Sequence, residues 1–226
     1  MDELEIPRPC IDMEDEGYNV EWSQELKLDE STLEYINAWA LIHVLRRLLG
    51  HEGQVPFGTI FNMSVGYNLE GILKPNVQTF LSRMADCAPD RAAKMEALGP
   101  IYPRIGALDI PDCISDNITI STMHGCPPGE IEKIGRYFIE ERRLNTTIKL
   151  NPTLLGARRL RRMLNQQLGF DTEVPDDAFA HDLTYDAGIE LIQSLLDRSR
   201  KCGVAFSLKL SNTLETANRG RVLPES

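Results

Sequence analysis

The sequence predicts an α/β fold in which a parallel sheet forms part of a (β/α) barrel of the TIM type. Three observations carry this. Segments that read as strands and helices alternate β-α-β-α-β-α-β along the chain. The strand segments are near-continuous apolar or β-branched runs, as expected of a parallel sheet covered by helices. Polar residues gather where each strand ends, and right-handed crossovers put those ends on one face, where a barrel carries its active site. Four strands are readable, whereas a complete barrel has eight in roughly 250 residues. Either the sheet is a smaller open α/β one or a barrel is cut; the lack of a closing element after Ser226 favours the cut barrel, with about four of the eight βα units.

Residues 1–30 read as an irregular acidic segment, with Asp12, Glu14, Asp15 and Glu16 and one aromatic anchor, Trp22; residues 31–226 read as the partial barrel domain. Ser31-Thr32-Leu33-Glu34 is a capping box that opens a helix ending at Leu49 before Gly50. Ala38, Leu41, Ile42, Leu45 and Leu48 supply its expected apolar stripe. Thr59 to Ser64 reads as the first strand, running out at Gly66-Tyr67-Asn68. Pro75 starts a helix to about Cys87, a second short one follows over Asp90–Leu98, and Pro100 to Asp116, with three prolines, reads as a long loop.

The second strand, Ile118-Thr119-Ile120-Ser121-Thr122, is β-branched apart from Ser121. It runs into Met123-His124-Gly125-Cys126, and Pro127-Pro128 suit the first turn of a helix reaching Arg143. Thr146 to Pro152 is the third strand and its exit, followed by a basic helix, Arg158–Leu168, ended by Gly169. Asp171 to Asp182 is a polar insertion, Tyr185–Cys202 a long helix closed by Gly203, and Val204–Leu210 the last strand. The end, Arg219 to Ser226, is polar.

Composition narrows the function. A net charge of −10 argues against a nucleic-acid groove. No run approaches the length of a membrane span, and the acidic Met1-Asp2-Glu3-Leu4 start is no signal peptide. The five cysteines are scattered with no CxxC pair, which reads as free thiols in a reducing cytoplasm and no metal or iron-sulfur cradle within this chain.

The residues that carry chemistry stand at the strand exits. Cys126 precedes a helix N-terminus, a position that lowers a thiol's pKa and offers it to a ligand; the plainer alternative is a small core residue. His124 beside it is a catalytic candidate or a loop histidine bonded to backbone. Lys149 lies inside a strand, where burial is costly without a partner, so it reads as a ligand contact or a structural ion pair. Asn62, Asn68, Asn151, Asn212 and Thr213 form either a shared hydrogen-bonding pocket or local turn caps. Arg158, Arg159, Arg161 and Arg162 read as a solvated helix face, and Cys10, Cys87, Cys113 and Cys202 as structural.

Several strings together resemble one family. Phe61 to Gly71, Ser121 to Pro128, Ile148 to Gly156 and Lys209 to Leu214 look like the YgfK-type iron-sulfur flavoproteins, whose members carry a selenate reductase label; Pro9 to Asp12 and Glu21-Trp22-Ser23 fit the same family. The resemblance covers nearly the whole chain and implies an internal piece with roughly the third to sixth barrel strands. More remotely, the barrel is similar to the FMN-binding barrels of dihydropyrimidine and dihydroorotate dehydrogenases. There an Asn-Leu-Ser-Cys-Pro motif supplies a Cys that exchanges a proton with substrate carbon while FMN exchanges a hydride. The resemblance places Cys126 on that cysteine, with His124 beside it. It gives Lys149, Asn212, Thr213 and Asn62 to the cofactor, and Asn68 and Asn151 to substrate. Met123 stands where the motif has its Asn.

The implied function is electron passage between FMN and a small acceptor within a multidomain oxidoreductase. Its 4Fe-4S clusters and its FAD/NADPH domain would lie outside this chain, and its other domains or subunits would be partners. Two further classes stand beside it: a catalytically silent barrel scaffold in an electron-transfer complex, and a Schiff-base lyase using Lys149.

Overall fold

The computed structural model describes residues 27–51, 59–121, 126–180 and 182–217. The acidic arm with Trp22, the Pro9–Asp12 and Glu21–Ser23 strings, Met123, His124 and the tail from Arg219 lie outside the described residues. The chain divides into two compact units, Met1–Ile118 and Thr119–Ser226.

The first unit opens with α1 (Leu28–Leu48) and holds β1 (Asn62–Val65), α2 (Leu69–Ile72), α3 (Pro75–Ala85) and α4 (Ala88–Leu98). A 3-10 turn over Pro103–Ala107 breaks the expected long loop, and α2 is a turn the sequence reading did not contain. α1 begins a turn earlier than the Ser31–Glu34 box predicts. Glu30 reaches back to accept the Lys27 N–H at 2.9 Å, and Thr32 donates its hydroxyl to the Leu28 carbonyl, so Ser31 and Thr32 sit inside the helix.

The expected apolar stripe of α1 is also overturned. Leu41 is 56% exposed and Leu48 63%, while Tyr35, Ile36, Trp39 and Ala40 are buried. Aromatic packing decides this: Tyr35 meets Phe61 and Phe80 edge-on at 5.1 and 5.7 Å, and the Trp39 indole donates to the Pro111 carbonyl at 3.0 Å. Val77, Phe80, Leu81 and Met84 of α3 complete that core. A forked ion pair, Arg83 to Asp90 at 2.9 and 2.7 Å, ties α3 to α4.

The strand β2 (Asn117–Ser121) crosses the division between the units. The second unit continues with α5 (Pro128–Arg136), prolonged by a π-helical turn over Tyr137–Glu141, then β3 (Asn145–Leu150). A 3-10 turn (Pro152–Leu155) leads into α6 (Ala157–Arg161) and a second π turn (Arg162–Gln167), where the sequence predicts a plain helix. The short α7 (Asp177–Ala180) lies in the polar insertion, and α8 (Tyr185–Cys202) ends on Gly203 at φ 70°. The last strand, β4 (Phe206–Leu210), pairs with β3 in parallel, in a register from Thr146↔Phe206 to Leu150↔Leu210.

α5 and α8 pack closely: a Cβ on Gly135 would meet Leu195 at 2.7 Å. Ser194 donates to Glu132 at 2.7 Å, and Arg198 pairs with Glu140 at 2.5 Å. Arg198 and then Arg136 hold the Glu140 carboxyl below its usual range.

The β strands are not continuously buried as the sequence suggests. On β3 Thr146, Ile148 and Leu150 are buried while Thr147 and Lys149 are half-buried; on β4 residues Ser207 to Leu210 are exposed. Alternation puts Thr147 and Lys149 on one face with their register partners Ser207 and Lys209, so one face of this pair is a polar ladder.

Candidate functional site

The second unit gathers several of the predicted residues at the C-terminal ends of its strands. Pro127 adopts extended backbone as the N-cap of α5 and Pro128 opens the helix, which fixes Cys126 at the junction between β2 and α5. Cys126 lines a cavity of about 10 Å³ together with Leu150, Asn151, Thr153 and Asp182, a space for about one water.

The Cys126 thiol does not have the lowered pKa that its helix-start position predicts. Partial burial first, then the negative charge of Glu130 in the first helical turn, push it up. Desolvation acts against any charge on the sulfur, and the acid in the first turn adds to it. At neutral pH the group is a thiol with a proton to give.

Asn151 is the hub of a hydrogen-bonded chain. Its Oδ1 accepts from Asn212 Nδ2 at 2.8 Å, and its Nδ2 donates to Asp182 at 3.3 Å. The buried Thr153 hydroxyl donates to the same Asp182 oxygen. Asn212 Oδ1 in turn accepts the Thr213 backbone N–H at 2.8 Å and its hydroxyl at 3.3 Å. The exits of β3 and β4 are thereby tied to each other and to the loop ahead of α8. Lys149 stands two residues before Asn151 on the same strand face, in register with Lys209.

The structure thus brings Cys126, Asn151, Asn212 and Thr213 into one rim, with Lys149 on the adjoining sheet face. Asn62 and Asn68 belong to the first unit and use their side chains locally. Asn62 donates to the Met63 carbonyl at 2.8 Å, and Asn68 caps α2 by accepting the Gly71 N–H at 2.9 Å. His124 lies outside the described residues. Asp182 and Thr153 are site residues that sequence reasoning missed. For Asp182 the only signal is the polar run from Asp171, whose pattern does not single out its last residue, whereas Thr153 lies unremarked inside the string Ile148 to Gly156. Among the described residues no three His, Cys, Asp or Glu side chains cluster as a metal site, and no helix is long and apolar enough to cross a membrane.

Comparison with known proteins gives the family. A family model described as "Oxidoreductase YgfK, N-terminal TIM-barrel domain" matches residues 1–226. Two proteins named "Putative oxidoreductase YgfK", from Escherichia coli strain K12 and from Escherichia coli O157:H7, are each 39% identical to the chain over 244 residues. That match covers 99% of this chain and 23% of theirs, so the chain spans about a quarter of the length of these relatives. No solved structure matches the chain. The chain belongs to the family of the N-terminal TIM-barrel domain of the oxidoreductase YgfK.

Proposed function

We propose that this barrel is the flavin-facing catalytic segment of a multidomain oxidoreductase, with Cys126 as the group that exchanges a proton with a small substrate. The observation that carries the reading is the Cys126 thiol sharing a cavity with the amide of Asn151, which is itself bonded to Asn212. A neutral thiol held beside oriented amides suits proton transfer to a carbon that gains or loses a hydride. The family description as an oxidoreductase supports the reaction class.

FMN would supply the hydride exchange. The donor set fits the pyrimidine edge of its ring: amides from Asn151 and Asn212, the Thr213 hydroxyl, and the Lys149 ammonium, which would stabilise negative charge there. The cavity of about 10 Å³ does not hold such a ring, so the open polar face of β3 and β4 is the surface left for it. Asp182 and Thr153 hold Asn151 in position. The 4Fe-4S clusters and the FAD/NADPH site belong, on this reading, to the rest of the longer protein, and the relatives' greater length supports that division.

The test is the visible spectrum of the purified full-length protein. Bound flavin that bleaches with reductant is expected, and it should be lost or weakened by Lys149→Gln combined with Asn212→Ala. Cys126→Ser should slow turnover while leaving flavin content unchanged. A folded protein without flavin would overturn the assignment and leave the barrel a scaffold.

A further inference from the structure

The run Arg158, Arg159, Arg161, Arg162 is not one uniform solvated face. Arg161 turns into the fold. Its guanidinium donates to the Val174 carbonyl at 3.1 and 2.5 Å and to Asp176 at 2.6 Å, and it lies over the Phe179 ring at 5.3 Å. Arg158 and Arg159 of α6 and Arg162 of the π turn are exposed. Among the described residues, none of these three enters an ion pair or a side-chain hydrogen bond. The same helix and its exit carry exposed apolar side chains: Met163 is 36% exposed, Phe170 56% and Leu168 62%. The backbone holds them there. The Leu168 N–H donates to the Met163 carbonyl at 2.9 Å, and Gly169 turns the chain at φ 74°. The Asn165 amide then donates to the carbonyls of Phe170 and Thr172 at 2.9 and 2.7 Å. Arginine, methionine and aromatic side chains displayed together have the composition of a protein interface.

We infer that this face docks an acidic surface of the polypeptide that the longer protein carries beyond these residues. Charge selects the occupant: the chain is −10 overall, so an acidic surface is repelled by most of it and drawn to the three arginines. Size argues for a tethered one. Three basic and three apolar residues fall short of the roughly 20–30 residues a side of a free-standing complex. A domain of the same chain docks on less, because its linker holds it at an effective concentration on the order of mM. Such polypeptide exists in the relatives, which extend well beyond the matched quarter. The inference does not depend on a flavin being bound, since α6 has no part in that reading.

The experiment places the photocrosslinker p-benzoylphenylalanine at position 170 of the purified full-length protein and maps the products by peptide mass analysis. Crosslinks are expected to join position 170 to acidic peptides outside residues 1–226 of the same molecule. Arg158→Glu, Arg159→Glu and Arg162→Glu together should cut their yield by at least about fivefold, because like charges then meet. The corresponding three changes to Lys should keep most of it, which separates lost charge from lost structure. Crosslinks confined to residues 1–226, crosslinks to a second copy, no crosslink, or a yield unaltered by the three changes to Glu would overturn the proposal.

Discussion

Asn212 donates its side-chain N–H to the side-chain oxygen of Asn151 across 2.8 Å, joining two strand exits that stand 61 residues apart in the chain. Because Asn151 donates on to Asp182, removing it breaks two bonds at once. Asn151→Ala is expected to cost about 1–2 kcal/mol, the worth of one or two partly buried hydrogen bonds. Asn212→Ala also removes the two bonds from Thr213, but those are local and solvent-exposed, and Asn151 keeps Asp182, so it should cost less. Urea unfolding of the two variants checks the order, and equal losses would show that the chain of bonds does not centre on Asn151.

Cys126 should be slow to alkylate. Burial and Glu130 raise its pKa, so the thiolate fraction at neutral pH is below that of a free thiol. Iodoacetamide labelling followed by peptide mass analysis across pH should give a midpoint above that of glutathione. Glu130→Gln should move that midpoint down, because it removes the second cause of the shift. A midpoint below glutathione's would mean that the helix start dominates after all.

Cys87 gives the first unit an alkaline limit. It is fully buried, and desolvation, with Asp112 adding to it, pushes its thiol from 9.0 up to about 11. Between those values the native state holds a proton that the unfolded chain has lost, so the unfolded state binds fewer protons and stability falls as pH rises. The contribution is complete below about pH 9 and lost through about pH 11. Urea midpoints should drop across that window, and Cys87→Ala should be less stable at neutral pH but show a shallower drop.

The contact between α5 and α8 leaves no room at Gly135. A Cβ there would press on both methyls of Leu195, itself fully buried. Gly135→Ala is therefore expected to destabilise by about 1 kcal/mol net, because overpacking outweighs the roughly 1 kcal/mol gained in helix propensity. In a Leu195→Ala background the same change should become neutral or stabilising. A double-mutant cycle measures this, and simple additivity would show that the two residues do not compete for space.

Arg83 spans three helices of the first unit, forking onto Asp90 and lying 3.5 Å from Asp29. Asp90→Asn should cost about 1 kcal/mol and Asp29→Asn close to nothing, since Asp29 is 93% exposed. Thermal melts at low and high salt distinguish them: only the Asp90 loss should persist as salt rises.

The sequence by itself determined the alternation of strands and helices, and therefore the barrel family. It also marked the start of α5 at Pro127-Pro128 and the end of α8 at Gly203. Those features are local: a proline removes a donor and a glycine accepts positive φ wherever they stand. The clustering of Cys126, Asn151, Asn212 and Thr213 was likewise readable, because parallel strands send their exits to one side. Only the tertiary structure decided which face of α1 is buried, since Leu41 and Leu48 are as apolar as the residues that win, and the aromatic partners of Tyr35 and Trp39 lie far along the chain. It alone brought in Asp182, 31 residues from Asn151, and set Lys149 against Lys209. It also reversed the expected pKa of Cys126, because burial is a property of everything packed around an atom and no short motif encodes it.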